Sequence, residues 1–316
     1  MGFKSKKMNE FDLISKYFSW PLSDTSVVLG VGDDGAICDI ESGYQLVTSI
    51  DTLIAGVHFP KSTSAADIAH KALAVNLSDM AAMGALPKHF TLALTLPEVD
   101  QSWLEDFSQS LQQLSTQSGV SLIGGDTTKG PLSIAISIVG WVESGKALRR
   151  SGAQIGDGVY VSNTIGDAAF SLWQLNNNDA PDSGCLVKLN RPMPQVELGR
   201  SLQGIASACI DISDGLKQDL CHILKASKVS ARIEVEKIPL AKVLTDHVNK
   251  KNDWSLVLNG GDDYELCFTV PVKNQTMLSG ISKRCGVKIT QVGVICESGD
   301  LEIVGAKNIG RSYQHF

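Results

Sequence analysis

From residue 27 onward, short apolar runs alternate with stretches whose apolar positions recur every three or four residues. The runs at 27–29, 45–50 and 90–96 are too short for helices and predict buried strands. Residues 64–83 predict a helix: Ser64 followed by Asp67 resembles a capping box, and Gly84 and Pro87 end it. Residues 101–118 predict an amphipathic helix with Trp103, Phe107, Leu111 and Leu114 on one face and Gly119 after its end. Residues 121–123 and 132–142 return to strand. A boundary is expected near 146–156, where Arg149, Arg150, Gly152 and Gly156 cluster. Beyond it the pattern predicts a strand at 159–162, a helix from Asp167 and a polar loop over 176–184. A strand at 210–212 then leads into a helix carrying Leu216, Leu220, Ile223 and Leu224, and strands follow at 232–235 and 266–270. No exact repeat is present, but both halves share a strand–Gly–Asp–helix rhythm. The fold class expected is α/β, with helices and strands mixed throughout and two domains of related design.

Composition supports that size and solubility. The chain has 316 residues, 43% hydrophobic and 20% charged, enough for two domains at roughly 100–200 residues each. A net charge of −6 argues against a nucleic-acid binder. No apolar run reaches the roughly 18 residues of a membrane span, so no membrane partner is expected. The first twelve residues carry Lys4, Lys6 and Lys7 without an apolar core, unlike a secretory signal. Met1-Gly2 opens like a myristoylation site, but Lys6 stands where Ser or Thr is required. The seven cysteines form no C-x-x-C pair and are odd in number, which excludes a zinc ribbon and argues against a disulfide framework. The expected location is cytoplasmic.

Two motifs invite misreading. Gly30-Val31-Gly32-Asp33-Asp34-Gly35 matches G-x-G-x-x-G after a strand, the fingerprint of a nicotinamide dehydrogenase. Residues 36–51 look like strand and turn instead of the required helix, and two carboxylates would face a phosphate, unless a divalent cation lay between. Gly140 to Ala147 fits G-x-x-x-x-G-K, but Ala147 lacks the hydroxyl a P-loop needs for Mg²⁺. A hairpin turn with a surface lysine is expected there.

Acidic chemistry is the stronger signal. The chain holds 23 Asp against 11 Glu, and Asp favours turns, caps and hard-cation sites. Asp79 lies late in a helix apolar almost all round, with Asn76 three residues earlier on the same face. A buried carboxylate requires a hydrogen-bond partner or a metal, and the metal is preferred. Asp51 ends a strand after Ser49-Ile50, Asp126 follows Gly124-Gly125, and Asp211-Ile212-Ser213-Asp214-Gly215 marks a strand-to-helix junction. Singly, each is also a good turn or cap residue. Together they form the kind of scattered oxygen set that suits Mg²⁺ around phosphates. His58, seven residues after Asp51, is a candidate substrate contact or a surface residue. No G-x-S-x-G elbow or protein-kinase H-R-D set is present.

The motifs Leu29 to Asp34, Ser49 to Leu53, Ala74 to Asp79, Gly124 to Thr127, Ile210 to Gly215 and Gly260 to Leu266 stand in an order that resembles the thiamine-monophosphate kinase family from about residue 9 to Phe316. The resemblance implies the two-domain fold of aminoimidazole ribonucleotide synthetase. Residues 1–148 would form an ATP- and Mg-binding domain that dimerises through its strands, and 149–316 an α/β domain closing a cleft. It implies the reaction ATP + thiamine monophosphate → ADP + thiamine diphosphate. The Mg²⁺ ligands it implies are Asp34, Ser49, Ile50 through its backbone carbonyl, Asp51, Asp79, Asp126, Asp211 and Asp214. Gly125, Asp126, Arg150 and Ser213 would contact ATP, and His58, Asp262 and Tyr313 the thiamine phosphate. Ile50 replaces an expected Thr, and Asp262 an expected Glu one methylene longer, which makes its contact a candidate for water mediation.

The acceptor phosphate is already an anion, so no general base is expected; the obstacle is repulsion from the γ-phosphate, which Mg²⁺ would neutralise. Two other readings remain, the first within the same superfamily and the second from a different class. One is another ATP-dependent synthetase such as selenophosphate synthetase, disfavoured because the first cysteine, Cys38, comes after the Gly-Asp-Asp motif. The other is a non-catalytic thiamine-phosphate binder.

Overall fold

The computed structural model of the protein describes residues 10–22, 24–31, 35–297 and 299–309. Its contacts divide into two units, Met1–Asn76 with Pro87–Trp141, and Leu77–Leu86 with Val142–Phe316.

The first unit holds α1 (Glu10–Tyr17), β1 (Val27–Leu29), β2 (Ile37–Cys38), β3 (Tyr44–Ile54), most of α2 (Ala65–Ala82), β4 (Leu86–Leu96), α3 (Gln101–Ser118), β5 (Ser121–Lys129) and β6 (Ser133–Glu143). The four long strands pair in the order β3-β6-β4-β5. β4 and β5 run parallel, and α3 connects them. Local signals set α3 almost to the residue. The Asp100 side chain accepts the N–H groups of Ser102 and Trp103, and Gly119 adopts φ 64° to end the helix. Its buried face is Leu104, Phe107, Leu111 and Leu114; Trp103 is half-buried and stacks on Phe107 at 4.9 Å. The Ser64 hydroxyl accepts the Asp67 N–H, capping α2 as expected. α2 is buried on every side and its last turns belong to the second unit.

β1 and β2 pair antiparallel, so the G-x-G-x-x-G segment leads to a strand and no dinucleotide helix follows it. After β6 the Lys146 N–H donates to Glu143 O at 2.9 Å, making a turn with an exposed lysine. The expected hairpin is corrected: β6 pairs only with β3 and β4 among the described residues, because Gly152 and Gly156 keep the chain irregular until residue 158.

The second unit contains β7 (Gly158–Ser162), α4 (Asp167–Asn176), α5 (Ser183–Asn190), α6 (Val196–Ser201), β8 (Ala208–Asp211), α7 (Leu216–Ser227), β9 (Ser230–Glu234), α8 (Lys242–Lys251), α9 (Ser255–Asn259), β10 (Leu266–Val270), α10 (Leu278–Cys285), β11 (Ile289–Cys296) and β12 (Glu302–Val304). Its six strands pair in the order β12-β9-β11-β7-β10-β8. Only the β12–β9 pair is parallel. β7 and β10 are buried at every position because both faces are covered. Val159, Val161, Ile210 and Cys267 pack with α7 and α8 on one face. Tyr160, Cys209, Leu266 and Phe268 pack with α6 and α10 on the other. This is the period-two alternation of a sheet between two helical layers.

Candidate active site

The densest group of predicted residues lies where β8 ends. Asp211, the last residue of β8, is nearly buried, and its Oδ2 accepts the Ser78 hydroxyl at 2.8 Å. Ser78 is itself fully buried near the end of α2 and adjoins Asp79, so the helix end and the strand end meet within one unit.

Past Asp211 the backbone turns through Ser213 and Asp214 before α7 begins. The N–H groups of Ser213, Asp214 and Gly215 all donate to Asp219 Oδ2, at 3.0, 3.0 and 3.1 Å. Burial pushes the Asp219 carboxyl up to about 7, against the opposing pull of those three donors. Asp214 Oδ2 accepts Gln218 Nε2 at 3.0 Å.

The carbonyl side of the same turn is bound by the Gly260–Glu265 segment. The Asp262 N–H donates to Ser213 O at 2.9 Å and the Tyr264 N–H to Ile212 O at 2.8 Å. Ile212 N–H returns a bond to Glu265 O at 2.8 Å, continuing the β8–β10 pairing beyond the strands. Two backbones this close exclude a side chain between them. A Cβ on Gly261 would stand 2.1 Å from Ser213 O, which is why glycine precedes Asp262. Asp262 and Tyr264 adopt φ +70° and +51°, and the Tyr264 hydroxyl donates to Asp262 Oδ1 at 3.1 Å.

The alternate residues of this segment point into the protein. Both Asp263 oxygens accept the Gly166 N–H at 2.9 Å, and Glu265 accepts Ser162 Oγ and Asn163 Nδ2. Burial pushes Glu265 up to about 7 and Asp263 well above the usual carboxylate range. Below them Lys188 Nζ lies 2.9 Å from Asp167 Oδ2.

The remaining described residues sit elsewhere. Arg150 is exposed, and its segment is tied to the start of β8: Cys209 N–H donates to Arg149 O at 2.8 Å, and Ser227 Oγ to Arg150 O at 3.2 Å. In the first unit, Ser49 and Asp51 share one face of β3 while Ile50 projects from the other, 65% exposed. Asp126 is exposed on β5, opposite Ala93. Gly125 beside it lies so close to β4 that a Cβ would stand 2.0 Å from Leu92 O. His58 Nδ1 accepts the Ile54 N–H at 2.9 Å, which leaves Nε2 to carry the proton of the neutral ring. Its carbonyl accepts Nζ of Lys71, a lysine only 2% exposed. Asp34 and Tyr313 lie outside the described residues. The last described residue, Ile309, accepts Nδ2 of Asn259, just before Gly260-Gly261-Asp262.

The donors suit a hard cation: they are carboxylate, hydroxyl and carbonyl oxygens throughout. Asn76 on α2 donates Nδ2 to Ala72 O, while its buried Oδ1 has no protein partner, leaving one more oxygen for a cation or water. Among the described residues no three His, Cys, Asp or Glu side chains stand close enough to hold a metal by themselves.

Sequence reasoning missed Ser78, Asp219 and Tyr264. Ser78 lies inside a motif quoted for its Asp79; Asp219, four residues into α7, carried the signal of a carboxylate in a first helical turn.

Residues 32–142 match the family described as AIR synthase related protein, N-terminal domain, and residues 154–306 the corresponding C-terminal domain. Over 290 residues the chain is 48% identical to thiamine-monophosphate kinase of Escherichia coli K12, covering 90% of this chain and 89% of that one. The crystal structure of thiamine-monophosphate kinase from Stenotrophomonas maltophilia K279a superposes with a TM-score of 0.85 at 39% identity, over 91% of this chain and 93% of that one. A structure of AaThiL complexed with AMPPCP and TMP superposes with a TM-score of 0.77 at 30% identity, over 88% and 89%. On these matches, the chain belongs to the thiamine-monophosphate kinase family of AIR synthase related proteins.

Proposed function

We propose that this protein transfers the γ-phosphoryl group of ATP to thiamine monophosphate, giving thiamine diphosphate and ADP. One observation carries the reading: a relative of the same fold and 30% identity is complexed with an ATP analogue and TMP together.

The acceptor phosphate is anionic at neutral pH, so the chain needs no residue to deprotonate it. Its residues act by binding and alignment. Asp79, Asp211 and Asp214 from the second unit, and Ser49, the Ile50 carbonyl, Asp51 and Asp126 from the first, would hold Mg²⁺, with Asp34. Mg²⁺ supplies neutralisation of the two repelling phosphate groups. Gly125, Asp126, Arg150 and Ser213 would take ATP, and His58, Asp262 and Tyr313 the thiamine phosphate. The Nε2–H of neutral His58 suits a phosphate oxygen. The bond from the Asp262 N–H to Ser213 O supports an assignment that puts nucleotide and acceptor residues side by side. The Tyr264 hydroxyl fixes the shorter Asp262 side chain.

The working division is an N-terminal domain over 1–148 for ATP, Mg²⁺ and dimerisation, and a C-terminal domain over 149–316. A homodimer built on strands is supported by three large apolar residues exposed on one face of β3, Leu46, Ile50 and Ile54, which Thr48 and Thr52 separate. No helix among the described residues is long and apolar enough to cross a membrane, which supports the cytoplasmic reading.

Incubation with ATP, Mg²⁺ and thiamine monophosphate tests the proposal. Equal amounts of thiamine diphosphate and ADP, abolished by a chelator, are expected. ADP without thiamine diphosphate would favour another acceptor, and neither product from protein that binds thiamine monophosphate would favour a non-catalytic binder.

A further inference from the structure

An ordinary helix start is capped by a Ser, Thr, Asp or Asn side chain at the N-cap, which serves the second and third N–H groups inside the helix. α7 is built differently. Its N-cap is Gly215, at φ +110°, and has no side chain to offer. The acceptor is Asp219, in the helix itself and 2% exposed, reaching back to N–H groups of residues that precede the helix. One oxygen collects three successive donors, a nest of the kind that elsewhere binds anions. Burying a carboxylate is costlier than capping with a serine. What the arrangement adds is control of Ser213 and Asp214, which a conventional cap does not touch.

The other edge of the turn is held as well. The Ile212 and Ser213 carbonyls accept from Tyr264 and Asp262. A Cβ on Gly261 would stand 2.1 Å from Ser213 O, and one on Gly215 2.9 Å from the Asn259 backbone, so the turn is closely packed on both sides. The turn is therefore fixed through its N–H groups by Asp219 and through its carbonyls by the Asp262 segment.

We propose that Asp219 is a positioning residue for phosphoryl transfer: by accepting these three N–H bonds it holds Ser213 and Asp214 where Mg²⁺·ATP is bound. This rests on the nucleotide assignment of Ser213 and Asp214 made above. Hydrogen-bond acceptance is the operative property, so asparagine, whose carbonyl oxygen can take the same bonds more weakly, retains part of the function and alanine does not.

The test is calorimetric binding of a non-hydrolysable ATP analogue with Mg²⁺ to the full chain and to Asp219→Asn and Asp219→Ala, well below each melting midpoint, with kcat and KM for MgATP measured in parallel. Asp219→Asn is expected to bind about three- to fivefold more weakly and Asp219→Ala about thirtyfold or more, in line with one to three lost buried hydrogen bonds. A role confined to fold stability would lower the melting midpoint and leave affinity unchanged. Folded Asp219→Ala binding like the native chain overturns the proposal, as does Asp219→Asn as impaired as Asp219→Ala. If Asp219→Ala does not fold, Asp219→Asn binding at native affinity overturns it. Native protein that neither binds the analogue nor phosphorylates thiamine monophosphate would overturn the functional reading itself; native protein that does both, beside unaffected variants, would overturn only the role of Asp219.

Discussion

The hydroxyl of Ser78 donates to Oδ2 of Asp211 at 2.8 Å, joining residues 133 positions apart in a buried bond. Through it the end of an apolar helix fixes a carboxylate at the end of a strand. Ser78→Ala removes the donor and leaves Asp211 less satisfied, at a cost of about 1–3 kcal/mol. Urea denaturation should show a lowered midpoint, and the Mg²⁺ concentration for half-maximal turnover should rise. An unchanged Mg²⁺ requirement would limit Ser78 to stability.

Asp214 is half-buried on a turn whose backbone is held by other groups, so its side chain is dispensable to the fold. Asp214→Asn and Asp126→Asn are expected to lose about 100-fold or more in turnover, the scale of removing one electrostatic contact to the transferring group. Circular dichroism melts should stay near native. Near-native turnover in both variants would remove these residues from the metal set.

Gly261→Ala would push a methyl group against Ser213 O, 2.1 Å from an ideal Cβ. The two loops must then separate. KM should rise for both MgATP and thiamine monophosphate, because the proposed assignment puts contacts to one of them on each loop. A rise for one substrate alone would show that the loops act independently.

Glu265 gives a pH prediction. Burial raises its folded pKa from the model-peptide value of 4.5 to about 7. Between those values the folded state holds a proton that the unfolded state has released, so stability falls as pH rises from about 4.5 to 7 and is level above. The contribution is on the order of 3 kcal/mol. Glu265→Gln should flatten that part of the profile, and the difference between native and variant unfolding free energies across pH isolates it. Parallel profiles would show that Glu265 ionises normally.

Leu46, Ile50 and Ile54 are exposed on one face of β3, with Thr48 and Thr52 between them. Leu46→Asp places a charge on that face without touching Ser49 or Asp51, which lie on the other face. Sedimentation should show the native chain as a dimer and the variant as a monomer or a much weaker dimer. A monomeric native chain would end the dimer proposal.

Much of this molecule was legible along the chain. α3 and β10 were read to within a residue or to the residue, since Asp100, Gly119 and an unbroken apolar run act locally. The motif at 211–215 reads as a strand-to-helix junction, and β8 ends at Asp211 with α7 beginning at Leu216. Shorter elements are not legible along the chain: α5, α6, α8, α10, β11 and β12 draw their order from the sheet they cover or extend. The expected boundary near 146–156 gave no hint that Leu77–Leu86 belongs with the second unit, because an all-round apolar helix does not announce which neighbours bury it.

By itself, then, the sequence determined the mixed α/β class and the ordered motifs that mark the family. Those follow from local patterns and residue types. Tertiary structure alone decided that Ser78 meets Asp211 and that Ser213 and Asp262 share a hydrogen-bonded turn. Each of these is a bond between groups whose partner is chosen by the packing of separate elements, and a buried polar group accepts whichever donor the fold delivers.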